Sequence, residues 1–327
     1  MNIFNLLPRL LLTVVLVVFA LTGKSQSFFE PSDTLNKKRF TKALVFTGTT
    51  YTAFSVGLYN IWYRQYEQES FHLFNDWGEW RHMDKIGHVH TAYLQGVLCY
   101  KGARWTGLGK KPAIITGTIC GMLFQSTIEV MDGFSSKWGF SIPDMAANVS
   151  GVGIFALQQS LWDEQRIGIK VSSVPISYST EPIISRDGLG TTSLKTRTGS
   201  LFGHNYFERY LKDYNAQVYW LSFNVHSFLP ENNRWPQWLN LAVGYGAQNM
   251  FGGYANNWTS DGHEYTADLA KYPRYSQLFV GPDIDLTRIR TRSPFLRSVL
   301  SVLNVFKVPG PAVEFNTRGQ VVFHILR

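Results

Sequence analysis

Cysteine is almost missing from this chain: Cys99 and Cys120 are the only two in 327 residues. They provide no disulfide framework, and both stand in apolar segments, where buried thiols are expected rather than metal ligands. A phosphate-binding glycine loop, a nucleophile elbow, an H-E-x-x-H zinc motif and internal repeats are also missing. Acidic residues are in deficit, with 23 Asp plus Glu against 31 Lys plus Arg, a net charge of +8. Basic chains with 15% aromatic residues can bind nucleic acid, but an export signal argues against that partner. Anionic outer-membrane lipid or lipopolysaccharide phosphate is the expected counter-surface. A solvated basic face accounts for the charge equally well.

The export signal opens the chain. Met1 to about Ser25 fits a secretory signal peptide: Arg9 supplies positive charge, Leu10 to Leu21 the apolar core, and Gly23 and Ser25 the small residues for cleavage before Gln26. An uncleaved anchor is the alternative, because the core is near the length boundary for a span. Near Asp163 the hydrophobic period switches from about 3.6 to 2. Residues 26–163 are therefore expected to form a helical bundle with a polar cluster. Residues 164–327 are expected to form a β-rich domain with one amphipathic helix over 293–307. The fold class is α+β: an N-terminal membrane-associated helical bundle, then an antiparallel sheet or a partial or complete outer-membrane barrel.

Four uncharged runs make up the bundle: Ala43 to Tyr63, Ile86 to Tyr100, Pro112 to Ile128 and Met145 to Trp162. All are marginal as membrane spans. Gly117 with Gly121, and Gly151 with Gly153, permit close helix contact in membranes and in soluble cores alike. In an up-down arrangement Lys37 to Lys42, Lys101, Arg104, Lys110 and Lys111 share one end. Glu67, Glu69, Asp76, Glu79, Asp84, Glu129, Asp132 and Asp144 share the other. The basic end of an inner-membrane protein is cytoplasmic, whereas signal cleavage places this one in the periplasm. That conflict favours a compact, membrane-associated bundle outside the cytoplasm.

The acidic end carries the candidate chemistry. Asp84 and His88 are four apart and share a helix face, while His90 points elsewhere. Glu129 and Asp132 end the next helix, and Asp144 and Asn148 open the one after. With short loops these ends meet. Two carboxylates and an imidazole suit a divalent-metal site, an acid–base pair or a buried lock between helices. The catalytic candidates are His88, Glu129 and Asp144, and Asp132 joins them in the candidate metal set. Asp84 and Asn148 serve as network or substrate groups, and Lys85 neutralises anionic charge. The plainer alternative is capping: Ser141 with Asp144 is a capping box, and Asp132-Gly133 reads as a helix stop.

At these residues D-K-I-G-H, E-V-M-D-G-F-S-S-K-W-G-F-S and D-M-A-A-N resemble the "predicted periplasmic lipoprotein" family, domain of unknown function 2279, over about Lys42 to Gln159. The resemblance implies a Gram-negative envelope location and no established activity. A lipoprotein needs a Cys just after its signal segment, and none stands there.

Beyond Asp163, strands are expected at Ile167 to Tyr178, Tyr219 to Val225, Leu239 to Gly246, Tyr275 to Leu286, Ala312 to Asn316 and Gln320 to Leu326. N-T-R-G is the loop of a terminal hairpin. Large apolar residues facing one way suit a barrel wall or one face of a soluble sheet. Asp283 and Asp285 read mainly as a solvated pair, and Asn256 to Trp258 with His263-Glu264 as an exposed loop. The leading functional expectation is a non-enzymatic, outer-membrane-associated component or accessory subunit of a larger membrane protein complex. The alternatives are a metal-dependent or acid–base hydrolase of a lipid or cell-wall substrate, and a lipid or small-ligand binder using the groove between bundle and sheet.

Overall fold

The computed structural model describes residues 28–327 apart from Gln65. The signal peptide over Met1–Ser25 lies outside the described residues. Helix α1 (Lys37–Leu58) starts where Asn36 Oδ1 accepts the Arg39 amide at 3.1 Å, and it buries none of its residues. Helices α2 (Met83–Trp105), α3 (Lys110–Gly133) and α4 (Ile142–Trp162) form the bundle proper. Loops of a few residues force them up-down-up.

Small residues let these three helices touch along their backbones. A Cβ added at Gly117 would meet the Gly96 carbonyl at 2.5 Å, and one at Gly151 the Val89 carbonyl at 2.3 Å. Gly121 is likewise closed off by Val152 and the Ala92 carbonyl. Gly153 faces open space, so it plays no part in the close approach expected of it. Between α2 and α3 the Cys99 thiol donates to Cys120; both are free and half-buried.

The chain turns to strand four residues after α4. Strands β1 (Ile167–Ser173), β4 (Gln217–Phe223), β5 (Leu239–Gln248), β8 (Tyr275–Ile284), β9 (Ala312–Asn316) and β10 (Val321–His324) pair in that order as an antiparallel meander. Leu221, Val243, Val280, Val313 and Phe323 stand in register across it on one face. Two small ribbons, β2 (Ile183–Ile184) with β3 (Thr191–Thr192) and β6 (Asn257–Ser260) with β7 (His263–Thr266), flank the short helices α5 (Leu194–Phe202) and α6 (Tyr206–Lys212). They pack on Leu194, Phe251, Trp258 and Tyr265.

This sheet is open, with β1 and β10 unjoined, which corrects the expectation of a barrel. Two-residue periodicity specifies which face is apolar, not whether the first and last strands meet. Here α2 covers the apolar face at β1 and β4, where Met83, Val171, Tyr219, Ala247 and Met250 form a core. Farther along, the same face is bare: Leu241, Leu278, Phe315, Val321 and Phe323 are exposed. The opposite face is buried and mixed: Val218, Trp220, Ala242, Phe279 and Ala312 form a second apolar core on it, with polar groups among them. There Lys170 Nζ meets Asp283 Oδ2 at 2.7 Å, and the same oxygen accepts from Ser222 Oγ at 2.7 Å. Asp283 and Asp285 are thus not solvated, because residues 304–308 fold over them.

The amphipathic helix is shorter than expected. It is α7 (Pro294–Leu303), capped by Ser293 and without a buried residue. Residues 305–307 instead add a short parallel bridge to the edge of β1. Asn256 and Trp258 are buried, not an exposed loop. Asp261-Gly262, both with positive φ, make the tight hairpin turn that puts Trp258 opposite Tyr265.

Candidate functional site: a buried acid–base cluster

The site begins with an unusual turn. Trp80, Arg81 and His82, none of them glycine, have φ of 48°, 51° and 66° just before α2. Each such residue costs on the order of 1–3 kcal/mol unless its surroundings hold it there. The sheet half supplies that hold. Trp80 N donates to Gly253 O at 2.9 Å, Tyr245 Oη to Arg81 O at 2.7 Å, and Arg81 Nε to Ser276 Oγ at 2.9 Å. The turn delivers Met83 to the core and aims Asp84 and Lys85 into the acidic end of the bundle.

Lys85 is the hub. Its ammonium lies 2.7 Å from Asp76 Oδ2, 2.9 Å from Asp84 Oδ2 and 2.8 Å from Asp144 Oδ1, with its side chain 7% exposed. These carboxylates come from the loop before α2, from α2 and from α4. Ser141, the α4 cap, accepts the Asp144 amide and donates to Asp76 Oδ1 at 2.6 Å. From the sheet half, Tyr214 Oη donates to Asp84 Oδ1 at 2.7 Å.

His88 sits one turn further along α2. Its Nδ1 is 3.0 Å from Asn148 Oδ1 and 3.6 Å from Glu129 Oε1. Its Nε2 faces Asp84 Oδ1 at 3.9 Å and Asp144 Oδ1 at 3.8 Å. Asp132 joins from the side, accepting from Tyr63 Oη at 2.8 Å. Glu129 accepts only a long contact, 3.3 Å, from the Ser141 amide. Its Oε1 and the Asn148 Nδ2 are buried without a hydrogen-bond partner.

So much negative charge cannot all persist out of water. Burial pushes the Glu129 carboxyl up to about 8, with the carboxylates of Asp144 and Asp132 adding to it and His88 opposing. Burial likewise lifts Asp132 and Asp144 to about 7. Burial alone would raise Asp84 too, but the charges of His88 and Lys85 and two hydrogen bonds hold it below the usual range. Hydrogen bonds from Asp144, Lys85 and Ser141 do the same for Asp76. Desolvation opposes charge on His88, yet Asp84, Asp144 and Glu129 together raise its pKa. Burial thus favours the protonated forms of Glu129, Asp132 and Asp144, whereas the neighbouring groups favour the charged forms of Asp76, Asp84 and His88.

The structure brings Asp84, Lys85, His88, Glu129, Asp144 and Asn148 together, with Asp132 at the margin through Tyr63. His90 packs apart, against the Tyr219 ring. For a metal, Asp84, His88 and Asp144 each offer an atom within 4.8 Å of the others. Two of those carboxylates also meet the Lys85 ammonium, through Asp84 Oδ2 and Asp144 Oδ1, so a cation held there would share them with Lys85. Asp76 and Tyr214 are members that sequence reading missed. Asp76 was legible only as one of many charges at that end, and nothing local marks Tyr214, 130 residues from Asp84.

No curated protein and no solved structure matches this chain. Residues 73–160, which hold every cluster member from Asp76 to Asn148, match the family described as "Predicted periplasmic lipoprotein (DUF2279)".

Proposed function

We propose that this protein is a non-enzymatic component of the Gram-negative envelope, seated at the outer membrane, whose bundle is held in one arrangement by the Lys85 cluster. One observation carries the reading. A single ammonium, 7% exposed, clamps carboxylates from three chain segments. Groups committed to each other and shut away from solvent act as a lock between helices more readily than as a site of turnover. The seat at the membrane is supported by the bare apolar face of the sheet and by exposed Leu44, Phe46, Ile119 and Leu157 on the bundle. Helix α3 is also long and apolar enough to cross a membrane by length and composition. A role as accessory subunit of a larger envelope complex fits the same surfaces.

A second reading, an acid–base or metal-dependent hydrolase, is favoured by the unpartnered Glu129 Oε1 and Asn148 Nδ2 beside His88. Lys85→Met separates the two. As a lock, its loss leaves Asp76, Asp84 and Asp144 without their cation, the first and last of them buried, and costs about 3–5 kcal/mol. Lys85→Arg should recover part of this, and bound metal should be nil in every form. Thermal melts with metal analysis on purified protein read both. A melting temperature unchanged in Lys85→Met would overturn the lock. Bound metal lost on substitution, with the fold intact, would support the hydrolase.

A further inference from the structure

A cavity of about 490 Å³ lies between bundle and sheet, away from the acid–base cluster. One wall is a face of α2: Leu94, Val97, Leu98 and Lys101 recur at helical spacing, so an apolar stripe leads to an ammonium. Across from it stand Ile169 of β1 and, on α7, Arg297 with Ser301 one turn on. Lys101 Nζ donates to Ser301 Oγ at 2.5 Å, bringing α2 and α7 together at the cationic mouth.

The charges around this cavity do not balance. Asp163 is paired with Lys110, Glu164 with Arg166 and Arg288, and Lys170 with Asp283. Asp285 accepts from Thr287 and lies 3.8 Å from Arg288. Lys101 and Arg297 are left without a carboxylate in salt-bridge range among the described residues. An apolar wall ending in two cations that no carboxylate reaches at ion-pair distance, with Asp285 acting on Lys101 only from farther off, has a definite chemical complement at a volume typical of small-molecule sites.

We infer that this cavity binds a single-chain anionic amphiphile, its carboxylate or phosphate on Lys101 and Arg297 and its chain along Leu94, Val97 and Leu98. The inference goes beyond the proposed lock and does not depend on it, since no member of the cluster lines the cavity. Calorimetry on the full chain with four probes tests it: laurate, dodecyl phosphate, dodecanol and inorganic phosphate. Laurate and dodecyl phosphate should each saturate one site, with dodecanol at least about tenfold weaker and inorganic phosphate silent. Laurate binding more tightly than dodecyl phosphate marks a fatty acid as the source of the ligand, and the reverse order marks a single-chain lipid phosphate.

Lys101→Met and Arg297→Gln should each weaken the two anionic probes about tenfold while leaving dodecanol unchanged. Leu98→Glu, at a position 45% exposed, should weaken all three chain-bearing probes. Circular dichroism and melts on each variant establish that the fold is intact. Equal binding of dodecanol and laurate, insensitivity to both charge substitutions, or inorganic phosphate binding as tightly as dodecyl phosphate would overturn the assignment. Uptake that never saturates would do so as well.

Discussion

At the scale of single residues, the protein holds protons where an unfolded chain would have released them. Glu129 is raised to about 8, Asp132 and Asp144 to about 7, all chiefly by burial. Between their ordinary range and these values the native state binds more protons than the unfolded one, so stability falls as pH rises. His88, also raised, acts in the same direction: its contribution is complete below about 6.5 and is lost as pH passes its folded value. Asp76 and Asp84, held low, oppose this only on the acid side, where their contribution disappears as pH falls below about 4. Stability should therefore peak at mildly acidic pH and decline toward about pH 8. Glu129→Gln, which cannot ionise, should flatten that decline. Denaturation midpoints across pH for both proteins check this, and equal slopes would contradict the buried proton. The sequence listed most of these residues but not their charge states, because desolvation depends on neighbours far along the chain.

At the scale of helices, the small residues have unequal roles that their spacing could not rank. Gly117, Gly121 and Gly151 each lie against a neighbouring backbone, whereas Gly153 does not. Gly151→Val should push α4 off α2 and destabilise by about 1–3 kcal/mol, the cost of overpacking. Gly153→Ala, in the same helix and two residues on, should be neutral or stabilising by about 0.5–1 kcal/mol, because alanine loses less chain entropy in a helix. Chemical denaturation of the two variants makes the comparison, and a Gly153→Ala loss as large as that of Gly151→Val would refute this view of the interface. The helices themselves were readable from uncharged runs and caps, and Ser141 caps α4 as its box predicts. Most strands were readable from alternation. The β6–β7 hairpin was passed over although Asp261-Gly262 marks its turn, because short polar strands carry little hydrophobic pattern.

At the scale of the whole molecule, the exposed apolar surfaces on bundle and sheet and the basic end near Lys37, Arg104 and Lys110 should hold the protein to anionic membrane. Density-gradient fractionation should recover it with the outer membrane, and high salt should release only part, since apolar contact is not screened. Recovery as a free periplasmic protein would count against this seat. Sequence alone determined the α+β order, the change from helix to strand after Trp162, and which end of the bundle is acidic. These follow from local periodicity and charge placement, which each segment carries within itself. Only the tertiary structure decided that the sheet stays open, that Asp283 is buried against Lys170, and that Tyr214 reaches Asp84. Closure, burial and pairing across 100 residues or more depend on where separate elements come to rest against one another, and no local pattern records that.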